Sequence, residues 1–332
     1  MNNKTRTAWL FLAPMLVVLL LVAVWPLGRT IWFSFTDANI NNLETSQFIG
    51  LENYFGEFGL FANPNNTDGF FASDWGISIL NTLKFSIVSV TLETLLGLAV
   101  AMLLNQEFKG RTLVRTAVLV PWAIPTIVSA KMWGWMLHDQ FGVINQWLFD
   151  LGWIAEKIAW TAQPDYAMWT VVAVDVWKTT PFMALLILAA LQTLPKDCYE
   201  AAQVDGVHPL RVFWRITLPM LTPFLLTATL FRVIESIQQF DIIYAMTQGG
   251  PGDTLTVFQV EAYLNFFQST NVGRSAALLM ILWAITYVLS NIFIKNWLRL
   301  REKQRGNGNA PQRPQGKCED PADIEQDQRG QS

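Results

Sequence analysis

Residues 195–219 read PKDCYEAAQVDGVHPLRVFWRITLP, a polar stretch that separates two apolar runs. Pro195 suits the first turn of a helix, Gly206 suits the position just after a helix ends, and Pro209 suits the start of a second helix. Consecutive alanines give the first helix a thin face, and charged residues flank it. The stretch therefore predicts two short helices, which either dock on another protein or lie on a membrane surface.

The two apolar runs that flank residues 195–219 belong to a set of six such runs in the chain. With 52% apolar and 15% charged residues, the 332-residue chain has too few polar side chains to cover a soluble globule of its size. Because about 20 apolar residues cross the bilayer core, each run is a candidate transmembrane helix. The runs cover residues 8–35, 77–104, 113–137, 167–191, 218–237 and 276–297. We therefore predict an all-α polytopic membrane protein with six transmembrane helices.

The distribution of Lys and Arg predicts the orientation, since cytoplasmic segments carry the excess of positive charge. Basic residues concentrate at the N-terminus, in the second and fourth connections and after the last run: Lys4, Arg6, Lys109, Arg111, Arg115, Lys196, Arg211, Arg215, Lys295, Arg299, Arg301, Lys303 and Arg305. By contrast, residues 36–76 contain several acidic residues and no Lys or Arg. Both termini are therefore predicted to be cytoplasmic, as are residues 195–219.

The composition changes near the C-terminal end. Residues 1–305 are predicted to form the transmembrane domain, whereas residues 306–332 are rich in Gly, Asn, Gln and Pro, which predicts a disordered cytoplasmic tail. The chain has no GxxxxGK followed by Ser or Thr, and its two Cys and two His residues lack metal-ligand spacing. We therefore expect a non-catalytic chain with no metal and no cofactor of its own, which depends on a partner for energy and binds no nucleic acid.

Ionisable residues within the runs are costly in a bilayer and usually face a cavity or a partner. The candidates for such a role are Lys84, Glu93, Lys131, Asp175, Lys178, Arg232 and Glu235. Lys84 and Lys131 lie near the ends of runs and can extend to the interface. Asp175 with Lys178, and Arg232 with Glu235, have the i, i+3 spacing of self-neutralised pairs on one helix face.

Residues 195–219 also match a longer pattern: Glu-Ala-Ala, three residues, Gly, nine residues, then Ile, any residue, Leu and Pro. The matching residues are Glu200, Ala201, Ala202, Gly206, Ile216, Leu218 and Pro219. The pattern resembles the EAA loop of the permease subunits of binding-protein-dependent ABC importers, and we call residues 195–219 the EAA loop. The resemblance favours docking on another protein over lying on the membrane.

Other segments are similar to the carbohydrate-uptake branch of these permeases, the relatives of the maltose-type membrane subunits. They are FLAP at 11–14, NTL at 81–83, GLA at 97–99, PWAIP at 121–125, FDIIY at 240–244 and TQGGP at 247–251. The resemblance implies the type I ABC importer permease fold in the bacterial cytoplasmic (inner) membrane, embedded in the lipid bilayer. It also implies three kinds of partner: a second permease subunit, two ATP-binding cassette subunits that hold ATP and Mg, and an extracytoplasmic sugar-binding protein.

The same resemblance assigns site residues. The EAA helix would sit in a cleft of the ATPase and transmit its closure. The ATPase-coupling residues are then Glu200, Ala201, Ala202, Asp205, Gly206, Arg211, Ile216, Leu218 and Pro219. Side chains that donate and accept hydrogen bonds beside aromatic rings suit a sugar, and the implied substrate pathway contains Asp175, Trp177, Thr179, Phe182, Glu235, Gln238, Gln239, Asp241 and Tyr244.

Alternatives remain at this point. The second permease subunit could hold the sugar, with this chain supplying only walls. The solute could instead be a polyamine or phosphate. A transporter driven by a proton or sodium gradient would work without an ATPase, and a membrane enzyme of lipid or glycan metabolism would need a catalytic grouping that the sequence lacks.

Overall fold

The computed structural model describes residues 3–56 and 73–306. Within these residues the chain is helical, and the extended pairings are isolated bridges, Thr36 with Phe48 and Asn39 with Asn271. The helices are α1 Asn3–Leu19, α2 Trp25–Ser34, α3 Glu52–Phe55, α4 Asp74–Asn105, α5 Arg111–Ala123, α6 Thr126–Met136, α7 Val143–Asp150, α8 Pro164–Leu191, α9 Lys196–Val204, α10 Pro209–Val212, α11 Leu218–Ile237, α12 Asp241–Thr247, α13 Phe258–Phe267 and α14 Val272–Gly306. The tail predicted to be disordered lies outside the described residues, apart from Gly306.

Five helical stretches in the described residues are long and apolar enough to cross a membrane. They are Thr5–Ser34, Asp74–Asn105, Pro164–Leu191, Pro209–Ile237 and Val272–Lys295. The first contains α1 and α2, which continue through a π-helical turn at Leu20–Val24. These stretches coincide with five of the six predicted runs, which confirms that the predicted runs are helical and long enough to span a membrane.

The third predicted run, 113–137, is not one continuous helix. α5 ends at Ala123, α6 begins at Thr126, and Ile124 between them is extended, with ψ 134°. Pro125 explains the break, because a proline disfavours helical geometry at the preceding residue and has no N–H to donate. The described residues thus hold five candidate spans, or six if α5 and α6 together form one.

The EAA loop continues directly into a span. α10, a π-helical turn at Phe213–Thr217 and α11 form one helical stretch, Pro209–Ile237. The second short helix predicted from Pro209 is therefore the first turn of this span. No flexible linker separates the EAA loop from the span.

The chain divides into two compact units. The first unit combines the described parts of Met1–Ser86, Thr126–Val171 and Ile237–Val288, and the second combines those of Ile87–Pro125, Val172–Ser236 and Leu289–Ser332. The second unit contains the EAA loop together with Glu93, Asp175, Lys178, Arg232 and Glu235. The first unit contains α12 and α13.

In the first unit, the NTL segment at 81–83 contacts the residues that follow the TQGGP segment at 247–251. The side-chain amide of Asn81 donates to the Asp253 carbonyl oxygen at 2.6 Å. The Thr82 hydroxyl oxygen accepts the backbone N–H of Phe258 at 3.0 Å, and Phe258 packs edge-on against Trp75 with ring centroids 5.4 Å apart. The start of α4 is therefore attached to the loop before α13.

The second unit has an apolar core built from α4, α8 and α11. Its buried members are Ala101, Leu104, Ile187, Leu188, Ala190, Leu191 and Leu221. α4 and α8 approach closely at Gly97, where an added Cβ would lie 2.8 Å from the Met183 Cβ. This packing joins the helix that follows the EAA loop to the spans beside it.

Candidate functional site

The EAA loop folds as its proline and glycine positions predict. Pro195 precedes α9 in an extended conformation, with φ −65° and ψ 128°. Gly206 follows α9 with φ +67°, a left-handed conformation that side chains with a Cβ disfavour. The N–H groups of Gly206 and Val207 bind the carbonyl oxygens of Gln203 and Ala202 at 3.2 and 3.0 Å. These bonds satisfy the carbonyl groups that a helix leaves open at its C-terminal end.

Two side-chain contacts hold the second part of the loop. His208 Nδ1 accepts the backbone N–H of Leu210 at 3.3 Å and so caps α10. The Tyr199 hydroxyl group donates to Thr217 Oγ1 at 3.1 Å, which joins α9 to the candidate span Pro209–Ile237. α9 is therefore attached to this span by its own side chains as well as by the chain.

α9 has a buried face and an open face. Cys198 and Ala202 are buried, whereas Glu200 and Ala201 are exposed. The two consecutive alanines thus differ, because Ala202 packs inside the second unit and only Ala201 is open to a partner. Among the other predicted coupling residues, Asp205, Gly206, Arg211 and Pro219 are exposed, and Ile216 and Leu218 are half-buried.

The open surface of the loop is partly apolar, which the sequence pattern did not indicate. Val204 is 87% exposed, Leu210 64% and Trp214 63%. Exposed apolar groups of this size mark surfaces that contact another protein or the membrane, and Leu210 and Trp214 already belong to the candidate span Pro209–Ile237. The available signal was the presence of large apolar residues in an otherwise polar connection.

The second unit also contains a buried ionic network, the Arg232 cluster, formed by Glu93, Asp175, Thr179 and Arg232. Arg232 Nε lies 2.6 Å from Glu93 Oε2, and Arg232 Nη2 lies 2.8 Å from Glu93 Oε1. Arg232 Nη2 is also 3.6 Å from Asp175 Oδ2. The Thr179 hydroxyl group lies 2.5 Å from Glu93 Oε1 and 2.6 Å from the Asp175 carbonyl oxygen, and it can donate to one of them at a time.

The two ion pairs expected from i, i+3 spacing have different outcomes. The pair within α11 forms, since Arg232 Nη1 lies 2.8 Å from Glu235 Oε2. Lys178 instead donates to the Ile124 carbonyl oxygen at 2.6 Å and makes no ion pair with Asp175. The expected Asp175–Lys178 pair is therefore wrong, because Asp175 turns toward the guanidinium group of another helix.

The predicted pathway residues fall into both units. In the second unit, Asp175 is buried, Glu235 is exposed, and Trp177 is half-buried. Phe182 stacks on Trp122 with ring centroids 5.8 Å apart. The stacked pair gives α8 a flat apolar face of the kind that packs against a sugar ring.

In the first unit, Gln238 and Asp241 are exposed, and Gln239 and Tyr244 are half-buried. Phe240 stacks on Tyr244 with centroids 5.1 Å apart, and Tyr263 from α13 lies 4.6 Å from Tyr244. A hydrogen bond with Tyr263 raises the pKa of the Tyr244 hydroxyl group above its usual value. Sequence reasoning missed Tyr263, since it lies on a different helix and belongs to no motif.

Within residues 3–56 and 73–306, no group of three or more His, Cys, Asp or Glu side chains is placed to hold a metal ion. The acidic residues of the Arg232 cluster are directed at the guanidinium group.

Known proteins with similar sequences are transport permeases. The chain is 36% identical over 293 residues to the trehalose/maltose transport system permease protein MalF of Thermococcus litoralis, which covers 88% of this chain and 94% of that protein. It is 35% identical over 288 residues to the sulfoquinovosyl glycerol transport system permease protein SmoG of Agrobacterium fabrum, covering 87% and 89%. These relatives confirm the prediction of a transport component that is not an enzyme.

The fold is also similar to a solved structure. A chain of a bacterial ABC transporter involved in the import of the acidic polysaccharide alginate superposes with a TM-score of 0.74 at 22% identity, covering 90% of this chain and 98% of that chain. Residues 93–304, which include the EAA loop and the Arg232 cluster, match the model of binding-protein-dependent transport system inner membrane components. The chain therefore belongs to the family of binding-protein-dependent transport system inner membrane components.

Proposed function

We propose that this chain is one of two membrane subunits of an ATP-driven importer of sugars, either oligosaccharides or glycosides, and that it forms half of the translocation pathway. One observation carries the proposal: α9, whose open face bears Glu200 and Ala201, is joined to a candidate membrane span by a four-residue connection and by the Tyr199–Thr217 hydrogen bond. This is the arrangement needed to pass movement of a cytoplasmic partner into the membrane. The sugar permeases among its relatives support the choice of solute.

In this function the chain crosses the bacterial inner membrane six times, with α5 and α6 together forming the third span. Both termini are cytoplasmic, because the basic residues concentrate in the connections on that side. The EAA loop then lies in the cytoplasm, where ATP is available. The transmembrane domain covers residues 1–305.

The proposed partners are a second permease subunit, two ATP-binding cassette subunits and an extracytoplasmic sugar-binding protein. ATP and Mg bind to the cassette subunits, and this chain binds neither. Glu200 faces a basic group of the ATPase, while Ala201 allows close approach. Val204 and Leu210 supply apolar contact area beside them.

The sugar pathway is proposed to include the pathway residues of both units. Trp177 and Phe182 supply apolar faces in the second unit. Gln238, Gln239 and Asp241 supply exposed or half-exposed hydrogen-bonding groups in the first. Sugars need both kinds of contact, since each ring has apolar faces and a rim of hydroxyl groups.

Reconstitution tests the function directly. The chain is co-purified with its second permease subunit and its ATPase, placed in liposomes that contain ATP and Mg, and supplied with purified binding protein and a panel of radiolabelled neutral and acidic sugars. We expect uptake of at least one sugar that depends on both ATP and binding protein. Liposomes that hold this chain alone under a proton or sodium gradient serve as the control, and uptake in the control would instead support an ion-driven transporter.

A further inference from the structure

The Arg232 cluster joins three helices of the second unit within the candidate spans. Glu93 comes from α4, Asp175 and Thr179 from α8, and Arg232 from α11. The contacts between Arg232 and Glu93, between Thr179 and Glu93, and between Arg232 and Asp175 each join a different pair of these helices. The cluster therefore fixes the mutual register of all three helices at one level.

Burial makes the ionic side chains of the cluster energetically costly. The side chains of Glu93, Asp175 and Arg232 are 0%, 2% and 4% exposed. Replacing a buried ionic group with apolar residues of similar size is often neutral or stabilising for folding, whereas removing one partner leaves a costly unpaired charge. Stability alone is thus a weak reason for this chain to hold three buried ionic side chains within a membrane.

The two carboxyl groups of the cluster are held differently. Glu93 binds Arg232 through both of its oxygens, whereas Asp175 Oδ2 has no partner within hydrogen-bond distance among the described residues. Arg232 Nη2, which binds Glu93 Oε1 at 2.8 Å, is 3.6 Å from this oxygen. A buried acceptor without a partner is uncommon in a purely structural network. Here it offers Arg232 a second acceptor on a different helix.

The cluster and the EAA loop share one helical stretch. Arg232 lies on α11, which continues without a linker from α10 and the π-helical turn. The apolar core around Leu221 fills the second unit where α11 starts. Displacement of α9 can therefore reach Arg232 through the Tyr199–Thr217 hydrogen bond and the helical stretch that carries α11.

We propose that the Arg232 cluster is a positioning network for transport: it holds α4, α8 and α11 in one register, so that the three helices move together when the EAA loop is displaced. The inference rests on the proposed function. It assigns Glu93 and Arg232 a role in coupling although neither belongs to the EAA loop or to the proposed pathway.

The test uses the reconstituted complex and compares sugar molecules imported per ATP hydrolysed. Glu93→Gln keeps the side-chain shape and the contact with Thr179 but removes the charge, and Arg232 retains Asp175 and Glu235 as partners. We expect assembly and ATP hydrolysis to persist while import per ATP falls roughly tenfold, within the usual range of coupling between sites. The apparent KM for the sugar should change less than import per ATP, because the Glu93 side chain is 0% exposed and cannot contact the sugar itself.

Two further variants separate positioning from folding. The neutral triple variant, Glu93→Gln with Asp175→Asn and Arg232→Met, should unfold at a temperature similar to wild type and yet remain uncoupled. Lys178→Met removes a buried cation that binds only a backbone carbonyl group in the second unit, and it should keep normal import per ATP.

The outcomes are distinct. Normal import per ATP in Glu93→Gln, or in a stably folded triple variant, would overturn the positioning role while leaving the proposed function intact. Loss of assembly in both would also overturn it, since the cluster would then serve folding alone. A wild-type complex that hydrolyses ATP but imports no sugar would instead refute the proposed function.

Discussion

Gly97 of α4 lies against Met183 of α8 so closely that a Cβ added at Gly97 would stand 2.8 Å from the Met183 Cβ and 3.2 Å from the Ala184 backbone nitrogen. The first distance is shorter than any relaxed contact between carbon atoms. The glycine therefore sets the distance between two spans of the second unit. It belongs to the GLA segment at 97–99 that resembles importer permeases.

Substitution of Gly97 should loosen this helix pair. We expect Gly97→Ala to lower the free energy of unfolding by about 1–3 kcal/mol, the usual cost of overpacking, because the Met183 backbone cannot move away without shifting α8. Thermal unfolding of the purified chain in detergent would measure the loss. Gly134→Ala is the matched control, since a Cβ at this glycine of α6 meets no atom within 4 Å. Equal stability of the two variants would contradict the close approach.

Glu200 is the most direct test of the EAA loop. Glu200→Lys reverses an exposed charge on α9, so it should leave folding and membrane insertion unchanged but weaken ATPase binding by about tenfold, typical of the loss of a central interface contact. Co-purification of the ATPase and import per ATP are the measurements. Glu107→Lys, an exposed residue of the connection after α4, makes the same charge change elsewhere. If both variants bind the ATPase normally, α9 is not the docking helix.

Sequence reasoning predicted the elements of the chain better than their partners. A membrane span needs about 20 consecutive apolar residues, and such runs can be read directly from a sequence. The helix boundaries at Gly206 and Pro209 follow from the local backbone chemistry of glycine and proline. Pro125 also signals a helix break by its local backbone chemistry. The apolar residues on both sides of it nevertheless made residues 113–137 look like one continuous span.

The Arg232 cluster shows why the rest was not predicted. The i, i+3 rule identifies neighbours on one helix, and it correctly paired Arg232 with Glu235. The stronger partner, Glu93, is 139 residues away in the sequence. That contact depends on how α4 and α11 pack, which no local pattern encodes. The expected ion pair between Asp175 and Lys178 does not form for the same reason: helix packing places the guanidinium group of Arg232 beside Asp175.

Glu261 gives a prediction for pH. Burial raises the pKa of the Glu261 carboxyl group, although Asn265 Nδ2 donates to its Oε1 at 2.7 Å; Asp74 and Asp253 raise the pKa further, and Arg274 lowers it. Because the folded chain holds this proton more tightly than the unfolded chain, the resulting stabilisation is complete below the ordinary pKa of 4.5 and is lost as pH rises through the raised value.

Glu261→Gln should remove this dependence. The amide oxygen still accepts from Asn265, and no buried charge has to form, so the variant should unfold at a higher temperature than wild type at pH 7–8 (roughly neutral). The difference should shrink toward the ordinary pKa of glutamate. The measurement is the unfolding temperature of each variant in detergent, from the ordinary pKa of glutamate up to about pH 7–8. The control is Glu52→Gln, at an exposed site, which should leave the pH dependence of the unfolding temperature unchanged. A constant difference between wild type and Glu261→Gln at every pH would contradict the assignment.

Gln239 and Asp241 test whether this chain touches the sugar. Each precedes or begins α12 beside the aromatic group of Phe240 and Tyr244, and each offers a polar group to solvent. If they line the pathway, Gln239→Ala and Asp241→Ala should each raise the apparent KM for sugar uptake by about 5–30-fold, corresponding to about 1–2 kcal/mol for a lost hydrogen bond to a ligand. ATP hydrolysis in the absence of sugar should not change, because neither residue lies in the EAA loop or the Arg232 cluster.

Uptake measured with saturating binding protein isolates this step from sugar capture outside the membrane. Gln146→Ala, which removes an amide that bonds only Asp150 on α7, is the control. Unchanged KM in both α12 variants would mean that the second permease subunit holds the sugar and that this chain supplies only the walls of the pathway.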